Sequence, residues 1–310
     1  MRPHNSITYN HTSADSSTVG THSPAPQSCP NPARATRAIQ FREIHGNLTA
    51  NRVTCRTVTR GALFPDDFPE TSYCTKSELM ADQKTLLAIG AHYDDCVYGV
   101  PGIMLQAVAK NYRVVQLILI GDYSNWPPTK GREKEFRNSI TKIASEYGVE
   151  TRYLDFASHQ YDTNAETKQK VAAAVYEIKP DIALQLWEYD HHHDHTVASQ
   201  LSKIALNHGG RVLNEDRFRG PRTIYHYDNG PGHTIGFEPD TFVDVTEYWQ
   251  KSMEWLGRYM AVQRNVKYDP SQTTGALQGK ETLARYRGQT CRVKYAEALW
   301  APRKQPVNIL

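Results

Sequence analysis

The chain has 310 residues, and 36 Lys and Arg against 33 Asp and Glu leave a formal charge of +3. That length allows one or two domains with a sizeable core, while the small charge and the lack of a dense Lys/Arg cluster argue against nucleic acid or a membrane surface as partner. No apolar run reaches transmembrane length, the first residues lack the apolar centre of a signal peptide, and five widely spaced cysteines without a Cys-x-x-Cys pair suggest a reducing compartment, by default the cytoplasm.

Ser, Thr, Pro, Asn and His dominate to about residue 35, and apolar residues stay scattered without a period to about residue 78. Such composition does not bury enough surface to offset its ordering entropy. Residues 1–79 are therefore expected to be a disordered or over-extended N-terminal segment, with the folded domain spanning 80–310.

From Thr85 strand and helix patterns alternate. Thr85–Ala91 reads as a buried strand running into His92-Tyr93-Asp94-Asp95, after which Val100, Ile103, Met104, Ala107 and Val108 recur at helical spacing to about Lys110. Arg113–Gly121 is a continuous apolar run of the kind buried on both faces of a parallel sheet. A loop with Trp126, Pro127 and Pro128 follows, then a helix over Gly131–Tyr147, stopped by Gly148. Thr151–Phe156 is a short strand. Asn164 is placed to cap a helix with Val171, Ala174, Val175 and Ile178 inward, stopped by Pro180. Asp181–Trp187 is the fourth strand, and Val197, Leu201, Ile204 and Ala205 mark the next helix. Further on come a strand at Thr223–Tyr227, a glycine-rich loop with Asp228, Gly230, Gly232 and His233, a strand at Phe242–Val245, and helices over Thr246–Gln263 and Leu277–Arg287. The order predicts an α/β, Rossmann-like, mostly parallel sheet with helices on both faces and right-handed crossovers.

Two polar turns fall at carboxyl ends of strands, where open α/β sheets bind ligands. The first holds His92, Asp94 and Asp95. The second, after the fourth strand, reads Glu188-Tyr189-Asp190-His191-His192-His193-Asp194-His195. Strands one and four are expected to be neighbours, so the turns would face each other across one crevice. Two adjacent carboxylates need a positive partner. His92, Asp95 and His195 supply two imidazoles and a carboxylate, three ligands with a fourth position for water, the pattern of catalytic zinc. Asp94 is then placed to act as general base, His192 to act on the oxyanion or leaving amine, and Asp194 to orient an imidazole. Plainer readings are a helix-capping pair for Asp94 and Asp95 and an exposed, adventitiously metal-binding loop for the histidines. The first turn lacks Gly-x-Gly-x-x-Gly, and its carboxylates would repel a pyrophosphate, which sets nucleotide-dependent readings low.

Ala91-His92-Tyr93-Asp94-Asp95 resembles the Ala/Pro-His-Pro-Asp-Asp-Glu signature of the LmbE-like (PIG-L) zinc-dependent N-deacetylases, and His192-His193-Asp194-His195 resembles their His-Pro-Asp-His motif. Arg132-Glu133-Lys134-Glu135 is similar to their Arg-x-x-Glu, and Phe242–Thr246 to a C-terminal family pattern. The resemblance covers about residues 84–265. It implies hydrolysis of an N-acetyl group from an aminosugar or glycoconjugate. It implies one Zn²⁺ per chain on His92, Asp95 and His195, Asp94 as base, and His192 facing oxyanion and amine. It implies Arg132 and Asp162 as substrate contacts. Tyr93 and His193 replace the two prolines, and Cys96 replaces the glutamate, where it reads as a small buried residue. A non-catalytic metal- or sugar-binding module is the alternative, and a homo-oligomer is left open.

Overall fold

The computed structural model describes residues 83–303. The expectations for residues 1–79 and for a boundary near Met80 lie outside the described residues. Strands β1 (Thr85–Gly90), β2 (Arg113–Asp122), β3 (Val149–Ala157), β4 (Ile182–Leu186) and β5 (Thr223–Tyr227) form one parallel sheet in the order β3-β2-β1-β4-β5. Every residue of β1 is buried, as is β2 from Val114 to Gly121, because helices cover both faces. β1 pairs with β2 on one side and β4 on the other, so the order reverses between β1 and β4. That reversal is the switch point where a crevice opens.

The helices are α1 (Asp95–Gly99), α2 (Pro101–Ala109), α3 (Glu133–Glu146), α4 (Ala165–Ile178), α5 (His193–Leu213), α6 (Trp249–Gln263) and α7 (Gly275–Cys291). The single helix expected after the first strand is two. Pro101 has no N–H to give and pushes the residue before it out of helical geometry; Val100 sits at φ −136°, ψ 36°. Asn164 caps α4 as expected, its side chain accepting from the Thr167 backbone N–H while Thr167 answers reciprocally. Beside the main sheet, β6 (Thr241–Asp244) pairs antiparallel with β7 (Ala296–Leu299).

Glu297 of β7 ties this small sheet to the main body. Its Oε1 and Oε2 accept from the backbone N–H groups of Gly102 (3.0 Å) and Ile103 (2.9 Å) at the start of α2. Lys280 of α7 completes the pair at 3.0 Å and also donates to the Gly99 carbonyl at 2.9 Å. Both side chains are buried, and burial holds the Lys280 pKa below its ordinary value. Glu297→Ala would strand a buried ammonium and two helix N–H donors, and is expected to cost about 3–5 kcal/mol. A shift of the urea midpoint corresponding to less than about 1 kcal/mol would refute this.

Candidate metal centre and active-site cleft

The first turn begins where β1 ends at Gly90. A Cβ there would lie 2.8 Å from the Asp95 Cβ and 3.2 Å from the Cys96 Sγ, so glycine lets the helix fold back onto the strand end. Asp94 occupies the N-cap position of α1, yet its carboxylate makes no capping hydrogen bond; it faces the cleft instead. Asp95 Oδ2 accepts from the His92 backbone N–H at 2.8 Å, which locks the turn. Capping alone therefore does not account for the two carboxylates.

β4 delivers the second turn across the switch point. His192 is the N-cap of α5, its Nδ1 accepting from the Asp194 backbone N–H at 3.2 Å. His195 lies one turn into the helix and is buried. Three side chains converge: His92 Nδ1 and His195 Nε2 are 3.2 Å apart, and the Asp95 carboxylate meets both, Oδ2 lying 3.6 Å from His92 Nδ1 and Oδ1 3.2 Å from His195 Nε2. Bonds of about 2.0–2.1 Å to a tetrahedral ion place its ligands about 3.3–3.4 Å apart. The separations are close to that size, so the three side chains fit a divalent ion with one position left open.

Each donor is held from behind, as metal-ligating side chains require. His92 Nε2 meets Asp194 Oδ2 at 3.2 Å, and that buried carboxylate also accepts from the Ser158 hydroxyl (2.6 Å) and the His159 backbone N–H (2.9 Å). His195 Nδ1 meets Asp190 Oδ2 at 3.0 Å, and Asp95 Oδ1 accepts from Asn229 Nδ2 at 2.9 Å. Asn229 follows β5, beside Asp228, whose Oδ1 takes the Arg287 guanidinium at 2.6 Å, and Gly230, whose φ of +84° suits glycine.

The electrostatics follow from the packing. Burial pulls the His92 pKa down, but hydrogen bonds to Asp194 and Asp95 outweigh it and lift it to about 9. For His195 burial likewise works downward, and the Asp95 charge with the Asp190 hydrogen bond raises it to about 10. Burial would raise Asp95, yet the two imidazoles hold it well below the usual carboxylate range. Asp94 is pushed up to about 6 by burial and by the Asp95 charge. Burial and the neighbouring imidazoles lower His192 to about 4, so it is neutral near pH 7. With Nδ1 accepting a backbone N–H, the tautomer assigned from that network leaves its proton on Nε2.

The donors open into a cleft of about 550 Å³ whose lining includes Asp94, Tyr98, Asp122, Trp126, His159, His192, His233 and Met260. The structure thus brings together His92, Asp94, Asp95, His192, Asp194 and His195. It does not bring in Arg132 or Asp162. The Arg132 guanidinium donates to the carbonyls of Pro128, Val262 and Gln263, and the residue does not line the cleft. The last carbonyls of α6 lack helical partners, and Arg132 supplies them. Asp162 is exposed, with His193 Nε2 at 3.6 Å. Cys96 is buried 3.6 Å from the Tyr227 hydroxyl, and Tyr93 is buried edge-on to Phe136 at 4.9 Å. Asp190, Asn229, Ser158 and His159 were not singled out from the sequence. All four follow carboxyl ends of β3, β4 or β5, the same signal that marks the first turn.

Fold and site define a Rossmann-like α/β protein with a candidate metal centre at the switch point. Residues 87–206 match the PIG-L family, described as GlcNAc-PI de-N-acetylase, which is the family the two motifs resemble. A 4-oxalmesaconate hydratase of Pseudomonas putida is 21% identical over 198 residues, 58% of this chain and 72% of that protein. Among solved structures, a conserved protein of Thermus thermophilus is 21% identical over 72% of this chain and 97% of its own, with TM-score 0.61. The N,N'-diacetylchitobiose deacetylase of Pyrococcus horikoshii is 19% identical over 71% of this chain and 84% of its own, with TM-score 0.56. The hydratase and the deacetylase are enzymes, and at these identities the structural likenesses establish the shared fold.

Proposed function

We propose that this chain is a divalent-metal-dependent hydrolase, with zinc the expected ion, that removes an N-acetyl group from an N-acetylated aminosugar or glycoconjugate. The observation that carries this reading is the convergence of the His92, Asp95 and His195 side chains at separations that suit one ion, opening into a cleft beside the Asp94 carboxylate, which makes no capping bond. His92, Asp95 and His195 would hold the ion, oriented by Asp194, Asn229 and Asp190. When bound, it supplies Lewis acidity and a water of near-neutral pKa. Asp94 accepts the proton of the attacking water and returns it to the leaving amine. The His192 Nε2–H donates to the oxygen on which negative charge develops. The C–N bond breaks as the new C–O bond is completed, giving acetate and a free amine. Two cysteines of the described residues, Cys96 and Cys291, are free thiols, which fits the cytoplasm. Among the described residues no helix is long and apolar enough to cross a membrane.

The test is metal analysis of the purified chain paired with an acetate-release screen over N-acetylated sugars. Dialysis against a chelator is expected to abolish release, and one added divalent ion per chain to restore it. Release unaffected by metal removal would refute the reading. The hydratase likeness favours a second reading, addition of water across a carbon–carbon double bond in the same cleft. Loss of enoate absorbance without acetate release would select it. Stoichiometric metal uptake with neither activity would leave a non-catalytic binding module.

A further inference from the structure

Apart from its imidazoles, of which His92 and His195 are paired with Asp95, Asp190 and Asp194, the charged side chains of the cleft are of one sign. Among the described residues no lysine or arginine lines it, whereas Asp94, Asp95 and Asp122 all do. Asp190 and Asp194 lie directly behind the two imidazoles, so a divalent ion would offset only part of this negative charge.

The nearby cations are turned elsewhere. Arg132 is spent on three backbone carbonyls. Arg137 donates to the Gly121 carbonyl at 3.0 Å and lies over the Tyr153 ring at 5.0 Å; its charge reaches Asp122 only as the least of the influences on that carboxylate, and it does not line the cleft. Arg287 is paired with Asp228 and Lys280 with Glu297. Asp122, at the carboxyl end of β2, is exposed, and its carboxylate accepts from the Ser124 backbone N–H at 2.9 Å. The rest of the wall is aromatic and amphipathic. Trp126 packs on Tyr93 and Phe136 with centroids 5.9 Å away in each case, and its half-buried ring borders the cleft with Tyr98 and Met260. Such a wall suits the C–H face of a sugar ring, whereas a phosphate or carboxylate lying along it, away from the metal centre, would meet Asp122 with no lysine or arginine to pair with.

Resting on the hydrolytic reading above, we infer that the cleft selects uncharged N-acyl saccharides and excludes phosphorylated or carboxylated ones, with Asp122 as a specificity-determining residue. The matched pair for the test is N-acetylglucosamine and its 6-phosphate, given to the metal-reconstituted full chain. The uncharged sugar is expected to have a kcat/KM at least about tenfold higher, the effect of one unit charge near another at surface dielectric. Added salt is expected to narrow the ratio. Asp122→Lys is expected to narrow it by about tenfold, because attraction replaces repulsion. Calorimetric binding of both sugars to the Asp94→Asn chain reads the same preference without turnover. Equal or better use of the phosphate ester would overturn the inference, as would a ratio indifferent to salt and to Asp122→Lys, or binding of neither sugar. If no acetate is released from either sugar or from any other N-acetylated sugar of the screen while calorimetry still prefers the uncharged one, the hydrolytic reading falls and the selectivity of the cleft stands.

Discussion

Asp94→Asn is expected to lower kcat for acetate release by about 10³-fold, the contribution of a positioned general base, while metal content stays at the wild-type level. The argument is geometric. Asp94 occupies the N-cap position of α1 but contributes no capping hydrogen bond, so its carboxylate is not needed to start the helix. It lines the cleft beside Asp95, whose two oxygens are already committed to the His92 backbone N–H and the Asn229 amide and face the imidazoles. Asparagine keeps the shape and removes only the ability to take a proton. The fold is expected to be as stable as wild type or more so at pH 7, because asparagine removes a charge that burial and the Asp95 carboxylate disfavour. Turnover within about tenfold of wild type would remove Asp94 from the base role. Loss of metal in this variant would mean that Asp94, and not Asp95, supplies the third ligand. Rate and metal content measured on one preparation separate the two outcomes.

The main sheet and both turns could be read from the sequence because each rests on a local pattern. β1 is an apolar run and β2 one interrupted only by Gln116, both stopping at polar residues; the parallel direction follows from the alternation of strand and helix, and β1 beside β4 from the doubly wound strand order. Asp190 and Asn229 were not legible for different reasons. Asp190 sits inside the His-dense run, and sequence alone does not say which carboxylate there faces His195. Asn229 reaches Asp95 across 134 residues, a contact that exists only because β5 lies beside β4. Arg132 shows how a tertiary contact competes with a motif reading. The motif resemblance makes it a substrate contact, but the carbonyls at the end of α6 lie within its reach and claim its guanidinium. β7 was missed because four residues carry no usable period, and its partner β6 lies some fifty residues earlier. What a sequence hides in this fold is chiefly which distant loop supplies the supporting contact.

A contrast between two histidines of one turn tests the metal centre itself. His195→Ala removes one of three protein ligands. If ligands share equally the roughly 10–16 kcal/mol of a four-ligand zinc site, metal affinity should fall by about 10²–10³-fold. The site should then empty on dialysis and acetate release should disappear with it. The substitution also leaves the buried carboxylates of Asp95 and Asp190 without their imidazole partner, so a thermal melt must show that the variant is folded. His192→Ala is different. Its Nδ1 already accepts the Asp194 backbone N–H, so that nitrogen is committed to the start of α5. Its loss should leave metal content unchanged and lower kcat by about 10²–10³-fold, the range for one oxyanion donor. Asp190→Asn falls between them, with metal affinity lowered about 10–100-fold through a loosened His195. Equal metal loss in the His192 and His195 variants would refute this ligand assignment. Metal retained by His195→Ala would refute it more directly, because that imidazole supplies two of the three edges on which the tetrahedral fit depends.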